Sequence, residues 1–374
     1  MKRYLFLGIF ILYMLANAYV FYNYSALVRD SDYSVKVFFG GMMTLMSLSV
    51  IIFYGVGKRL PVYIASYLYK IGTGWLMLSI YAFMLCLLFD IGWLINTLTA
   101  KSDLFIYNHH SSARGSLLIL ITLAIAFIGH FTYLKKKRRE IVIKVDKKLP
   151  KELRFVLLTD MHLGYAIEHK ELNKWVKCVN DEQADAVLIA GDVIDVSLIP
   201  LQYYKLDEVL KQFNSKYGTY ACLGNHEYLA GAEGSMKFLK ESGIKVLRDE
   251  VMSIDELNIN IIGRDDKTNR HRKELSELMM PLDNDKVSIL LDHQPYALEQ
   301  AVNNKIDLQC SGHTHRGQMW PISWITDRLF ENSHGYLKKE HTHIYVSSGV
   351  GIWGGRYRIG TVSEYIVIRV QGVQ

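Results

Sequence analysis

Cysteine is scarce in this 374-residue chain: Cys86, Cys178, Cys222 and Cys310 lie far apart, with no CxxC pair and no zinc-ribbon spacing. That argues against a disulfide framework or a thiolate metal site, and leaves ordinary buried thiols as the expectation. Acidic residues are nearly missing from the first third. Residues 1–139 hold 4 Asp+Glu against 14 Lys+Arg, whereas 140–374 hold 33 against 29. The net charge of +6 is therefore no nucleic-acid signature: the basic excess sits beside apolar runs and the remainder of the chain is mildly acidic. Nucleic acid is not expected as a partner. Internal repeats and low-complexity linkers are also lacking.

What the first third does contain is apolar length. Residues 4–22, 37–55, 74–94 and 116–134 are each near the ~20 residues that cross a bilayer. Lys2 and Arg3, then Lys58, Arg59 and Lys70, then the run Lys135 to Arg139 fall on one side of these spans. The alternate loops carry Arg29 with Asp30 and Asp32, and Lys101 and Arg114 with Asp103. The basic side marks the cytosol, so the expectation is a multi-pass integral membrane protein whose remaining residues face the cytosol. The first run also resembles a cleavable signal peptide ending at Ala16-Asn17-Ala18, and its removal would leave that orientation unchanged. Asp90 and His130 mark either a polar pathway or residues near an interface or paired between helices. The aromatic stretch 63–69 and the basic stretch 135–144 are simple flanks or segments lying along an anionic leaflet. The boundary falls around Pro150, giving a transmembrane anchor of about four helices at 1–139, a linker at 140–152 and a second domain at 153–374.

Beyond the boundary, short β-rich runs end in polar residues: 154–159, 186–190, 219–223, 259–263, 287–291, 307–311, 343–347 and 365–370. Helical patterns at 170–182, 204–213 and 235–242 lie between the early ones. This alternation predicts a layered α/β domain with its functional groups beyond the carboxyl ends of the strands. Those ends hold Asp160-Met161-His162, Gly191-Asp192-Val193-Ile194-Asp195, Gly224-Asn225-His226-Glu227, Asp292-His293 and Gly312-His313-Thr314-His315. Any one of these alone is a common surface pattern. Five in succession offer oxygen and imidazole donors suited to Mn²⁺, Fe or Zn²⁺. In Asp160-x-His162, alternate residues leaving a strand point the same way and can grip one ion. Asp192 is a natural bridge, since one carboxylate can hold two cations. Gly191, Gly224 and Gly312 allow the backbone close to the ions.

These motifs, in this order, resemble the calcineurin-like metallophosphoesterases over roughly residues 153–370. The resemblance implies a four-layer sandwich of two mixed β-sheets flanked by helices, an α/β fold here preceded by the all-α membrane region. It implies two divalent metal ions, one surrounded by Asp160, His162, Asp192 and His315, the other by Asp192, Asn225, His293 and His313. His226 would stand beside the substrate phosphate as general acid or charge stabiliser, with Asp192 as the bridging catalytic carboxylate and Asn225 near the substrate. Val346 to Gly351, Arg358 to Gly360 and Glu364 resemble the tail of the membrane-associated bacterial branch, which includes enzymes proposed to act on lipid-linked or nucleotide-linked diphosphates. That branch usually has Gly where this chain has Arg316, a phosphate clamp or a solvated loop residue.

Downstream, Met319, Trp320, Trp324, Ile325, Leu329, Phe330 and Trp353 form either core or an exposed ledge meeting a bilayer or an acyl chain. The expected function is a membrane-anchored dinuclear phosphoesterase acting on a phosphorylated small-molecule or lipid-linked substrate. Its rivals are a tethered phosphodiesterase for a soluble nucleotide and a non-catalytic membrane scaffold or receptor.

Overall fold

The computed structural model describes residues 2–99, 104, 106 and 108–373. Lys101 and Asp103, used above to orient the spans, lie outside the described residues. The chain divides into two compact units, one of residues 1–130 with 354–356, the other of residues 131–353 with 357–374.

The first unit is helical. Helices α1 (Lys2–Tyr24), α2 (Tyr33–Val56), α3 (Val62–Leu98) and α4 (Ser112–Leu134) supply four segments long and apolar enough to cross a membrane. Helix α3 begins at Val62, so the aromatic stretch 63–69 forms its first turns and is not a loop. Polar side chains join the helices where no hydrophobic force between them would act in lipid. Ser47 Oγ and Trp75 Nε1 both donate to Asn17 Oδ1, at 2.9 and 2.7 Å, joining α1, α2 and α3. Asp90 pairs with the buried Arg114 and accepts from Tyr19 at 2.5 Å, while Arg114 also donates to Asn23. Asp90 is thus partnered between helices, as an ionisable group in apolar surroundings requires.

The second unit holds two mixed sheets. Its strands are β1 (Lys136–Lys148), β2 (Leu153–Leu158), β3 (Ala186–Ala190), β4 (Thr219–Cys222), β5 (Ile244–Val246), β6 (Glu250–Ile254), β7 (Ile259–Gly263), β8 (Val287–Leu291), β9 (Leu308–Ser311), β10 (Gly335–Lys339), β11 (Thr342–Val346) and β12 (Ser363–Val373). The first sheet runs β1-β12-β2-β3-β4-β5 and the second β10-β11-β9-β8-β7-β6. Strands β2 to β5 are mutually parallel, as are β7, β8, β9 and β11. Every residue of β3, β7 and β8 is buried, which explains their largely apolar sequences, broken only by Asn260 in β7 and Ser288 in β8. Phe155, Leu157, Leu188, Ile261, Ile289 and Ile368 meet in one core contributed by both sheets.

Helices α5 (His169–Asp181), α6 (Ile199–Tyr203), α7 (Leu206–Leu210), α8 (Asn225–Ala230), α9 (Ala232–Glu241), α10 (Leu275–Met279), α11 (Glu299–Asn303) and α12 (Ile322–Leu329) complete the unit. Helix α5 buries Leu172, Trp175, Val176 and Val179, the i, i+3, i+4, i+7 stripe of an amphipathic helix.

Residues 140–152, expected as a linker, are mostly strand. β1 pairs parallel with β12, from Lys136 opposite Ser363 to Lys144 opposite Gln371. Ile143 and Val145 point into the core, an alternation that the surrounding charge obscures. The basic residues find local partners: Arg138 Nε lies 2.7 Å from Glu182, Arg139 Nε 3.3 Å from Glu364, and Lys136 Nζ sits 3.4 Å from the centre of the Tyr133 ring.

Candidate metal centre

The parallel strands of both sheets deliver the site. Asp160 stands two residues beyond β2, Asp192 two beyond β3, His293 two beyond β8 and His313 two beyond β9, while Asn225 opens α8 after β4. Ligands for such a site collect where parallel strands end. Two groups form. Asp160, His162 and His315 offer donor atoms within 4.8 Å of one another, and so do Asp192, His293 and His313.

Distances inside the groups suit cations. His162 Nε2 and His315 Nε2 are 3.0 Å apart, and His315 Nε2 is 3.4 Å from Asp160 Oδ1. Two nitrogen donors at ~2.0–2.1 Å from one ion stand about this far apart. In the second group His293 Nε2 lies 3.1 Å from Asp192 Oδ2 yet makes no hydrogen bond, although fully buried. Its other nitrogen, Nδ1, faces the Ala190 carbonyl at 2.8 Å, which fixes the tautomer and leaves Nε2 as the donor to an ion. His162 Nε2 is 3.8 Å from Asp192 Oδ2, so that carboxylate reaches both groups. Asn225 Oδ1 meets His313 Nδ1 at 2.8 Å. Carboxylates and imidazoles packed this densely away from water are costly without cations among them, so the donor set fits two divalent ions.

The backbone is strained where the donors sit. Asp160, His162, Asp192, His313 and His315 all have φ between 47° and 69°, the left-handed region that side chains other than glycine rarely enter. Such strain persists when surrounding contacts over-determine it, and it gathers at functional sites. Glycine serves here mainly by absence. A Cβ on Gly191 would stand 2.6 Å from the His293 ring, and one on Gly312 would collide with the Asp160 carboxylate.

Three residues hold this arrangement, and the motifs alone did not reveal their roles. The buried Glu227 carboxylate accepts from the amides of Asp192, Ile194 and Gly224 at 2.7 to 3.0 Å, stapling two ligand loops together. Burial, then the charge of Asp192, pushes its carboxyl up to about 7. Asp195 Oδ1 faces His226 Nδ1 at 3.2 Å and His162 Nδ1 at 3.5 Å. Burial alone would lower His226, but the Asp195 hydrogen bond and the charges of Asp192 and Asp195 outweigh it and raise the imidazole to about 9. Arg358, fully buried, donates to the carbonyls of His315, Ser348 and Gly351 at 2.9, 2.5 and 2.8 Å, tying the His315 loop to the C-terminal loop. Burial lowers its guanidinium to about 10. A spacing rule finds Glu227, as Glu at the third position of a helix; none finds Arg358.

Arg316 is partly exposed, its guanidinium 3.9 Å from Asp327. Trp324, Ile325 and Leu329 are exposed and Met319 is buried, so the apolar run after the ligands divides between ledge and core.

Paired carboxylate–imidazole groups sharing one carboxylate, at the strand ends of two mixed sheets, define a metal-dependent hydrolase site. The chain belongs to the calcineurin-like metallophosphoesterase family. The calcineurin-like phosphoesterase profile matches residues 153–317, and an uncharacterized metallophosphoesterase of Campylobacter jejuni is 30% identical over 373 residues, 97% of each chain. A Danio rerio transmembrane protein with metallophosphoesterase domain is 32% identical over 272 residues, 68% of this chain and 62% of that one. Among solved structures, Haemophilus influenzae NAD nucleotidase covers 55% of this chain and 52% of its own at 21% identity, with a TM-score of 0.38. The protein is a metal-dependent phosphoesterase with apolar helices suited to membrane association.

Proposed function

We propose that this is a multi-pass membrane phosphoesterase with its catalytic unit in the cytosol, hydrolysing a phosphate ester or diphosphate bond of a lipid-linked substrate. One ion would be held by Asp160, His162, Asp192 and His315, the other by Asp192, Asn225, His293 and His313. The observation that carries this reading is the position of Asp192 Oδ2, 3.1 Å from His293 Nε2 and 3.8 Å from His162 Nε2. Oxygen and imidazole donors suit Mn²⁺, Fe or Zn²⁺. When bound, such a pair of cations neutralises phosphoryl oxygens and makes water acidic enough to supply a nucleophile near neutral pH.

The chain's own groups complete the chemistry. Asp195 holds His226 by Nδ1 and favours its imidazolium, so Nε2 carries the proton for the departing oxygen, work commonly worth ~10²–10⁴-fold. Glu227 keeps the Asp192 loop in register. Arg316 is available at the rim to a phosphate oxygen. A lipid-linked substrate is supported by the four apolar helices and by the exposed apolar side chains of α12; the basic flanks of the spans support the cytosolic orientation.

The test is hydrolysis of p-nitrophenyl phosphate and bis(p-nitrophenyl) phosphate by the detergent-solubilised chain, stripped of metal and reloaded with Mn²⁺, beside Asp192→Ala. Activity should return with metal in the wild type and stay absent in the variant. A chain that binds no metal under any condition would sink the reading.

A further inference from the structure

Helix α12 is built inside out. Its inward side is small and polar: Ser323 is buried, and the Ser323 amide and Thr326 hydroxyl press on Gly317, where a Cβ would have no room. Its large apolar residues face outward, with Trp324 63%, Ile325 58% and Leu329 71% exposed in the whole chain. Together with the exposed Arg328 they fall at i, i+1, i+4 and i+5, one side of a helix. Trp320 extends this face, its ring meeting Trp324 edge-on at 5.4 Å. A helix that served only to cover the core would present the opposite side.

From this we infer that α12 lies in the surface of a bilayer, its indoles and aliphatic side chains among the acyl chains and Arg328 level with anionic headgroups, with Arg316 beside Asp327 at its edge. The same chain carries four helices able to cross a membrane, so a lipid surface is always close at hand. Trp prefers the boundary between hydrocarbon and water, and an apolar face edged with arginine matches anionic lipid in both polarity and charge. The helix also adjoins the ligand loop. Gly317, two residues after His315, packs on its first turns, and the Phe330 ring at its end stands 6.3 Å from the His313 ring. A substrate whose apolar tail follows α12 brings its phosphate to His313 and His315. This deepens the phosphoesterase reading, and only its kinetic test rests on that reading.

The test uses the full chain in nanodiscs of phosphatidylcholine and phosphatidylglycerol. Leu329→Cys and, as control, Tyr203→Cys, which is 59% exposed on α6, are each made with Cys178→Ser and labelled with a polarity-sensitive fluorophore. The label at position 329 should shift to the blue and be quenched by brominated lipid, while that at position 203 does neither. Water-like, unquenched emission at 329 overturns the inference. So does shielding that persists in detergent, rises with protein concentration and ignores brominated lipid, which would mean that a second copy covers the face.

In the kinetic arm, Trp324→Gln, Ile325→Gln and Leu329→Gln are combined. KM for p-nitrophenyl dodecyl phosphate held in the discs should rise about tenfold, the scale of lost apolar burial at an interface, with bis(p-nitrophenyl) phosphate turnover unchanged. Equal losses on both substrates would make α12 a mere brace for the ligand loop and overturn the inference. A wild type inactive on both would count against the phosphoesterase reading, and the quenching result would still decide where α12 lies.

Discussion

The two donor groups offer the same chemistry but are secured differently. Asp160, His162 and His315 all stand in left-handed backbone, and their placement relies on Arg358 holding the His315 loop. In the second group Asp192 and His313 share that strain, but His293 follows strand β8 without it and is keyed by Nδ1 to the end of β3, while Glu227 fixes the Asp192 amide. The first group joins loop to loop and would be completed by an ion; the second is fastened to sheet through His293 and to helix α8 through Glu227. Identical ligands can therefore differ in rigidity because of what stands behind them.

Asp192→Ala should erase the comparison, because that carboxylate reaches both groups. Turnover is expected to fall about 10³-fold or more, the scale of a lost charge-stabilising group, with metal analysis showing that both ions bind more weakly. His226→Gln should leave both groups loaded and cost ~10²–10⁴-fold in turnover, so metal content and rate part company. Arg358→Lys should sharpen the contrast, weakening one of two steps in a metal titration by ~10–100-fold while the other is unmoved; equal weakening of both would contradict the difference in anchoring.

The smallest effect concerns pH. In the metal-free chain His226 titrates at about 9 against an ordinary value of 6.5, so the fold favours its charged form. That stabilisation is fully present below about 6.5 and is lost as pH rises through about 9. Thermal unfolding of the metal-free wild type should fall across this window, and that of His226→Gln should not. Loading should lower the His226 titration seen by NMR, since divalent cations nearby disfavour an imidazolium.

Much of this was legible in the sequence, and the omissions share a cause. Strands β2, β3, β4, β7, β8, β9, β11 and β12 all left apolar runs to be read. The four missed, β1, β5, β6 and β10, are the four sheet edges. Edge strands are short, solvated or heavily charged, which protects them from pairing with other chains and hides their period. In β1 the run Lys136 to Glu140 concealed the alternation of Ile141, Ile143 and Val145. The donors were legible because each follows a strand in a short motif. Glu227 and Asp195 were visible as residues, but their work depends on which loops fold together. Arg358 was visible in the tail motif, but the carbonyls of Gly351, Ser348 and His315 that it bonds are backbone groups, which leave no mark in a sequence.

The pairing of β1 with β12 also bears on how the chain is made. The strand that directly follows α4 finds its neighbour only when residues 363–373 have been synthesised, as Lys136 waits for Ser363. Until then the apolar helices have emerged while the first sheet still lacks β12, which joins β1 to β2. Closing contacts so distant in sequence is slow and leaves strand edges exposed meanwhile. Loss of β12 would therefore separate β1 from β2, and a nascent chain stalled before Ser363 would be a substrate for chaperones or proteases.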